Sequence, residues 1–129
     1  RNHSSAASDV YKRQEAALRW ALTAGDTGSD IGQLIQLRLA RVLADQGNET
    51  EALAILAKGS SAYPVAYAQA EGDIHLAAGR PEAALTAYRQ GRDLASDLGQ
   101  YSVVLDNKVR TLETRLPPSS EDAPTEDAS

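Results

Sequence analysis

The chain repeats itself at a spacing of 32 residues, and this repeat constrains its fold more than any other feature. Residues 40–53 lie over residues 72–85, and matched positions carry the same residue type: Gly47 with Gly79, Ala52 with Ala84, and Leu53 with Leu85. A repeat of this length is one supersecondary unit, which buries its apolar side only against neighbouring units. The sequence therefore predicts a stack of short units.

Each unit has the pattern of two antiparallel helices. Gly47 and Gly79 follow helical runs and can adopt the left-handed conformation that ends a helix. Asn48 stands where it can cap the next helix, with Glu51 completing a capping box, and Pro81 stands where a first-turn proline is tolerated. Small residues at four matched positions would let the two helices approach closely: Ala40, Ala52, Gly72 and Ala84.

The composition favours helix in every part of the repeats. Alanine and leucine are abundant, β-branched residues are sparse, and phenylalanine, methionine and cysteine are absent. Alanine and leucine have high helix propensity. We therefore expect an all-α fold, a short α-solenoid of antiparallel helix hairpins, with helices at about 15–25, 31–46, 49–59, 65–78, 82–96 and 100–116.

The last of these helices has the pattern of a C-terminal capping helix. Its large apolar residues follow one another at spacings of three or four, which places them on one side: Tyr101, Leu105, Val109, Leu112 and Leu116. The opposite side is charged, as the outer face of the final helix in a repeat stack must be.

The two ends of the chain differ in composition from the repeats. Residues 1–14 are polar and serine-rich without helical periodicity, so we expect a disordered lead-in. Part of it, residues 8–14, resembles translated sequencing adapter, which would make the lead-in foreign and leave the natural N-terminus missing. Residues 117–129 hold three prolines, four acidic residues and no basic residue, and we expect a disordered acidic tail. The folded domain is expected over residues 15–116.

Several functional classes lack the residues that they require. A net charge of −5 provides no basic stripe for nucleic acid. There is no cysteine, glycine-rich phosphate loop or nucleophile motif, so we predict neither an enzyme nor a cofactor. Glu71 and His75 stand one helical turn apart, as half of a metal site would, but no second pair accompanies them and we predict no metal. Glu71 and Asp73 point to different sides of a helix, which argues against paired acid–base chemistry.

The helix–turn–helix unit resembles the tetratricopeptide repeat. Small residues stand at the positions where that family has them, and Pro64 falls 12 residues after Ala52, where the family often has its closing proline. The repeats depart from the family in three ways: neither has the tryptophan that begins the first helix, Glu71 holds a usually apolar position, and Ser96 replaces the second proline. The resemblance implies a tetratricopeptide-type α-solenoid that binds protein.

Residues 15–116 are also similar to a narrower family, the bacterial ancillary subunit of the Sec translocon. The similarity lies in the capping helix, where residues 106–109 would fall, and in residues 34–42, 47–53 and 70–74. It implies a periplasmic domain at the inner membrane, held by one N-terminal membrane helix that this chain lacks. It also implies partner proteins: translocon subunits, periplasmic chaperones or secreted clients.

The same resemblance implies that the first helix of each hairpin lines a concave protein-binding face. We predict that four side chains point into it: Leu37, Arg41, Gln69 and Asp73. For each of them, the alternative is a place on a solvated helix face. Two alternatives to the Sec family remain open, an unrelated tetratricopeptide adaptor in cell-envelope assembly or the cytosol, and a small ligand-binding protein or enzyme with a deep pocket.

Trp20 lies on the first predicted helix beside Leu18 and Leu22. It either packs on the next hairpin or, where an upstream repeat is missing, is exposed as an association site. Repeat stacks usually need about three units for stability, and this chain has two complete hairpins. We therefore expect the chain to form a homo-oligomer through its N-terminal side.

Overall fold

The computed structural model describes residues 2–116, with side chains from Asp9 onward, and this part of the chain forms six α-helices. They are α1 (Asn2–Ala24), α2 (Asp30–Asp45), α3 (Glu49–Ala57), α4 (Pro64–Ala77), α5 (Pro81–Asp97) and α6 (Val103–Arg115). The described residues contain no strand, and the predicted all-α fold is confirmed.

Two helix hairpins form the centre of the fold, α2 with α3 and α4 with α5. Gly47 and Gly79 end the first helix of each hairpin at φ of 88° and 80°, a conformation in which a Cβ would be strained. The next residue returns its N–H to the last helical turn, from Asn48 to the Leu43 carbonyl and from Arg80 to the His75 carbonyl, both at 2.8 Å. These bonds turn the chain between antiparallel helices, as the sequence predicted.

Small residues bring the two helices of each hairpin together. Ala40, Ala52 and Ala84 are 0% exposed. A Cβ placed on Gly72 would lie 2.4 Å from Cε1 of Tyr88, so the tyrosine ring of α5 lies directly over the backbone of α4. The predicted close approach at the matched positions is confirmed.

The core consists of two clusters that meet along α4 and α5. The first joins buried residues of α2, α3 and α4, and the partly buried Leu18 and Leu22 of α1 pack against it. The second joins buried residues of α5 and α6, and the partly buried Val65 of α4 packs against it. Each helix thus buries its apolar side against its neighbours, which is the organisation of a short solenoid.

α1 corrects the prediction of a disordered lead-in, because the helix begins at Asn2 and includes residues 2–14. This segment contains no glycine or proline, so nothing in it interrupts a helix. Half-buried side chains spaced by three or four turn one side of α1 toward the domain: Tyr11, Glu15, Leu18 and Leu22. The predicted acidic tail, residues 117–129, lies outside the described residues.

α6 closes the stack but begins later than predicted. The Ser102 hydroxyl accepts a hydrogen bond from the Leu105 N–H at 3.2 Å and caps the helix there. Leu105, Val109 and Leu112 are buried as the apolar stripe predicted. Tyr101 is not part of this stripe, because it precedes the helix and is 68% exposed.

The predicted capping box at Asn48 does not form. Its side chain donates to Oε1 of Glu51 at 3.2 Å and accepts no bond from an N–H of α3. α2, in contrast, is capped by Ser29, whose hydroxyl accepts from the Gly32 N–H at 3.0 Å. The two helix starts therefore differ in how their first N–H groups are satisfied.

Candidate protein-binding face

The first-helix face is the side of the molecule on which α2, α4 and α6 present charged side chains to one another. Three residues define it, one from each helix, because Arg41 and Lys108 both bind the carboxylate of Asp73. Arg41 and Asp73 are 32 residues apart, so they occupy the same position in successive repeats. Equivalent positions on neighbouring first helices lie side by side in a repeat stack, which is why these two charges meet.

Asp73 is the centre of this face. Its Oδ2 lies 3.3 Å from Nη1 of Arg41, and its Oδ1 lies 3.3 Å from Nζ of Lys108. The Tyr88 hydroxyl of α5 donates to the same Oδ1 at 2.5 Å. One carboxylate thus connects four helices.

Tyr88 contacts both Asp73 and Lys108 from the buried side of this face. Its ring is 0% exposed, and Nζ of Lys108 stands 5.4 Å from the ring centroid, within the range of a cation–π contact. Burial, followed by the hydrogen bond to Asp73, raises the pKa of the Tyr88 hydroxyl. The phenol therefore stays protonated, and can donate to Asp73, at pH values well above the usual pKa of a tyrosine.

The structure corrects one of the four predicted site residues. Leu37 is 7% exposed and belongs to the first core cluster, so it stabilises the fold and cannot contact a partner. Arg41 and Asp73 lie on the first-helix face, with side chains 44% and 28% exposed. Gln69 is half-buried one turn before Asp73 on α4, and residues four apart share one helix side.

A depression of about 320 Å³ lies between the C-terminal ends of α2 and α4 on this face. Its polar lining includes Arg41, Asp45, Glu49 and Asp73, and its floor includes Ile74 and small alanines. Asp45 is exposed. An open depression with charged walls and a small apolar floor suits the side chains of a protein segment better than an enclosed small molecule.

Trp20 and the Glu71–His75 pair lie away from this face. Trp20 is 71% exposed, so it does not pack on the next hairpin, and its role as an association site stays a prediction. His75 lies 4.0 Å from Glu71, while its Nδ1 accepts a bond from Nε of Arg80 at 3.1 Å. Within residues 9–116, no three histidine, aspartate or glutamate side chains are placed to hold a metal ion.

Sequence reasoning missed three residues of the face: Tyr88, Lys108 and Asp45. A signal for part of the arrangement was present, because opposite charges 32 residues apart at Arg41 and Asp73 predict an ion pair between repeats. Arg19 and Glu51 show the same rule, since they are also 32 residues apart and their side chains bond at 2.7 Å between α1 and α3.

Comparison with known proteins identifies the family. None of the six helices of residues 2–116 is long and apolar enough to cross a membrane. No curated protein and no solved structure matches the chain. The model of the tetratricopeptide repeat-like domain matches residues 2–114, which includes all but the last residue of α6. Such domains are in general scaffolds for protein–protein interaction rather than enzymes. The chain belongs to the tetratricopeptide repeat-like domain family.

Proposed function

We propose that this chain is the periplasmic domain of an ancillary subunit of the bacterial Sec translocon, and that it binds partner proteins through the first-helix face. The similarity in residues 34–42, 47–53 and 70–74 supports the identity. Membership of the tetratricopeptide repeat-like family supports protein binding in general. The partners would be translocon subunits, periplasmic chaperones or secreted clients.

The observation that carries the proposal is the open depression beside Asp73. Its walls hold charges of both signs, and the four-helix network around Asp73 holds two of them, Arg41 and Asp73, in position before any partner binds. A preformed surface loses little conformational freedom on association, so more of the contact energy remains as affinity. Asp45, which lines the depression, and Gln69, one turn before Asp73 on α4, are side chains that a partner can engage without disturbing this network.

A crosslinking pull-down from a bacterial inner-membrane extract tests the proposal. The baits are the full chain, the variant Asp45→Ala/Gln69→Ala, and the matched control Glu82→Ala/Asp93→Ala, which changes two exposed side chains of α5. Circular dichroism verifies that all three are equally helical. We expect the full chain and the control to capture translocon subunits or periplasmic chaperones, and the Asp45/Gln69 variant to capture at least fivefold less, about 1 kcal/mol of binding free energy.

The results separate the two parts of the proposal. Absence of translocon subunits and periplasmic chaperones from all three samples would overturn the Sec assignment. Equal capture by the Asp45/Gln69 variant and the control would overturn the assignment of the binding surface.

A further inference from the structure

A second concave site, which we call the α1–α2 trough, lies between the first two helices and shares only Arg41 with the depression beside Asp73. It has a volume of about 440 Å³. Ala17 and Leu18 of α1 and Val42 of α2 form its apolar floor, and Gln14, Arg38 and Arg41 form its rim. Ala17 is exposed although it faces α2, because no described side chain covers it.

The repeat shows what kind of object fills a trough of this kind. Shifted by 32 residues, the α2 positions 38, 41 and 42 become Ala70, Asp73 and Ile74 of α4. Those positions are covered: Ala70 is 0% and Ile74 is 6% exposed, and both belong to the cluster that α2 shares with α3 and α4. The α4 side of the equivalent trough is therefore covered by a helix, α2 itself, while Gln46 and Thr50 on its α3 side remain exposed.

The charges show which helix the empty trough would accept. In the occupied trough the lining residue is the anion Asp73, and the seated helix supplies the cation Arg41. In the α1–α2 trough the lining residues are cations, Arg38 and Arg41. Arg38 is exposed, and among the described residues its side chain has neither an ion pair nor a hydrogen bond. The α1–α2 trough thus presents positive charge where the occupied trough presents negative charge, so its complementary occupant carries carboxylates.

We propose that the α1–α2 trough is a docking site for an acidic amphipathic helix of a partner protein. The helix lays a stripe of small and medium apolar side chains over Ala17, Leu18 and Val42. It directs two carboxylates, three or four residues apart, at Arg38 and Arg41, which are themselves three apart on α2. Arg41 lines both this trough and the depression in the proposed function, while the other five lining residues belong to the trough alone, so either site can be altered without the other.

Fluorescence anisotropy with designed peptides tests the proposal on the full chain. The probe is a labelled 16-residue helical peptide, the length of α2, with an alanine–leucine stripe flanked by two glutamates four residues apart. A matched peptide has lysines in place of the glutamates. We expect the glutamate peptide to bind the full chain at least tenfold more tightly than the lysine peptide, and its affinity to fall as salt concentration rises.

Three variants locate the binding. Arg38→Glu reverses an exposed charge, and we expect it to prefer the lysine peptide. Ala17→Trp fills the floor of the trough and should reduce binding of the glutamate peptide at least tenfold. The control Glu82→Ala/Asp93→Ala, which changes two exposed side chains of α5 outside the trough, should leave binding unchanged. Circular dichroism verifies that the variants remain helical.

Other results would overturn the proposal. The first is failure of the glutamate peptide to bind the full chain at millimolar concentration. The second is a lack of discrimination, in which the full chain binds the two peptides equally tightly and Arg38→Glu does so too. Sedimentation velocity adds a third: self-association of the full chain that Arg38→Glu abolishes would make a second copy of this chain the occupant.

Discussion

At the residue scale, the packing of Tyr88 over Gly72 sets how closely α4 and α5 approach. The ring is fully buried, and a Cβ on Gly72 would lie 2.4 and 2.5 Å from two of its carbons. Neither partner can move easily, because the Tyr88 hydroxyl is bonded to Asp73 and the ring fills the space between the helices. The same contact thus holds the hairpin together and positions Asp73 for the first-helix face.

We predict that Gly72→Ala destabilises the protein. Overpacking in a core costs about 1–3 kcal/mol, while alanine recovers up to about 1 kcal/mol of helix propensity over glycine, so a net loss of about 1–2 kcal/mol is expected. Urea unfolding followed by circular dichroism measures it. In a chain that already carries Tyr88→Leu, adding Gly72→Ala should lower the free energy of unfolding by less than it does in the original chain, since the ring is gone. A Gly72→Ala variant as stable as the original chain would contradict this account.

Residue positions within the helices were only partly predictable from the sequence. The small residues at the close approach followed from matching the repeats. Leu37 was assigned to the binding face by resemblance, although Leu37, Ala40 and Leu43 at spacings of three indicate a core stripe on α2. No local sequence pattern predicts the hydrogen bond between Tyr88 and Asp73, because this bond depends on how α4 and α5 are rotated about their axes.

At the element scale, the helix starts differ in how they are capped. Ser29 and Ser102 each accept a hydrogen bond from the N–H three residues later. Asn48 occupies the same kind of position before α3 but makes no such bond. The sequence predicted a capping box at Asn48 and Glu51, because it could not show that the asparagine side chain would turn to the glutamate instead.

We predict that the three caps have unequal effects on stability. Ser29→Ala and Ser102→Ala should each lower the free energy of unfolding by about 1 kcal/mol, because each leaves an N–H of the first turn without its partner. Asn48→Ala should cost no more than a few tenths of a kcal/mol, as for a surface substitution. Urea midpoints at constant m-value measure all three. A loss at Asn48 as large as that at the two serines would show that Asn48 caps α3 in solution.

Among the six described helices, α1 was the least predictable, because its start could not be placed from the sequence. Residues 1–14 lack apolar periodicity, so this pattern offered no reason to begin the helix before residue 15. Helix propensity together with the absence of glycine and proline was the overlooked signal. Glu15 accepts one bond from Arg19 of the same helix and one from Gln46, which ties α1 to the end of α2, and these bonds lower the pKa of its carboxyl group.

At the scale of the whole molecule, the division of the core into two clusters governs how stability is distributed. Leu43 of α2 is 1% exposed and belongs to the first cluster, while Leu105 of α6 is 0% exposed and belongs to the second. In a solenoid each unit contacts only its neighbours, so its stability is close to a sum of local and nearest-neighbour contributions. The contact between α4 and α5 is the most extensive one between the two clusters, so it is the main route by which a loss in one cluster reaches the other.

We therefore predict that Leu43→Ala and Leu105→Ala, which remove the same atoms from equally buried positions, weaken different parts of the molecule. Each should cost about 2–5 kcal/mol overall. Hydrogen exchange measured peptide by peptide by mass spectrometry at 10 °C should show that Leu43→Ala increases exchange mainly in α2 and α3, and Leu105→Ala mainly in α5 and α6. Leu105→Ala should also leave the α1–α2 trough intact, because α6 lies at the far end of the stack. An identical exchange pattern in the two variants would show that the clusters unfold as one unit, and stability would then have to be treated as a property of the whole domain.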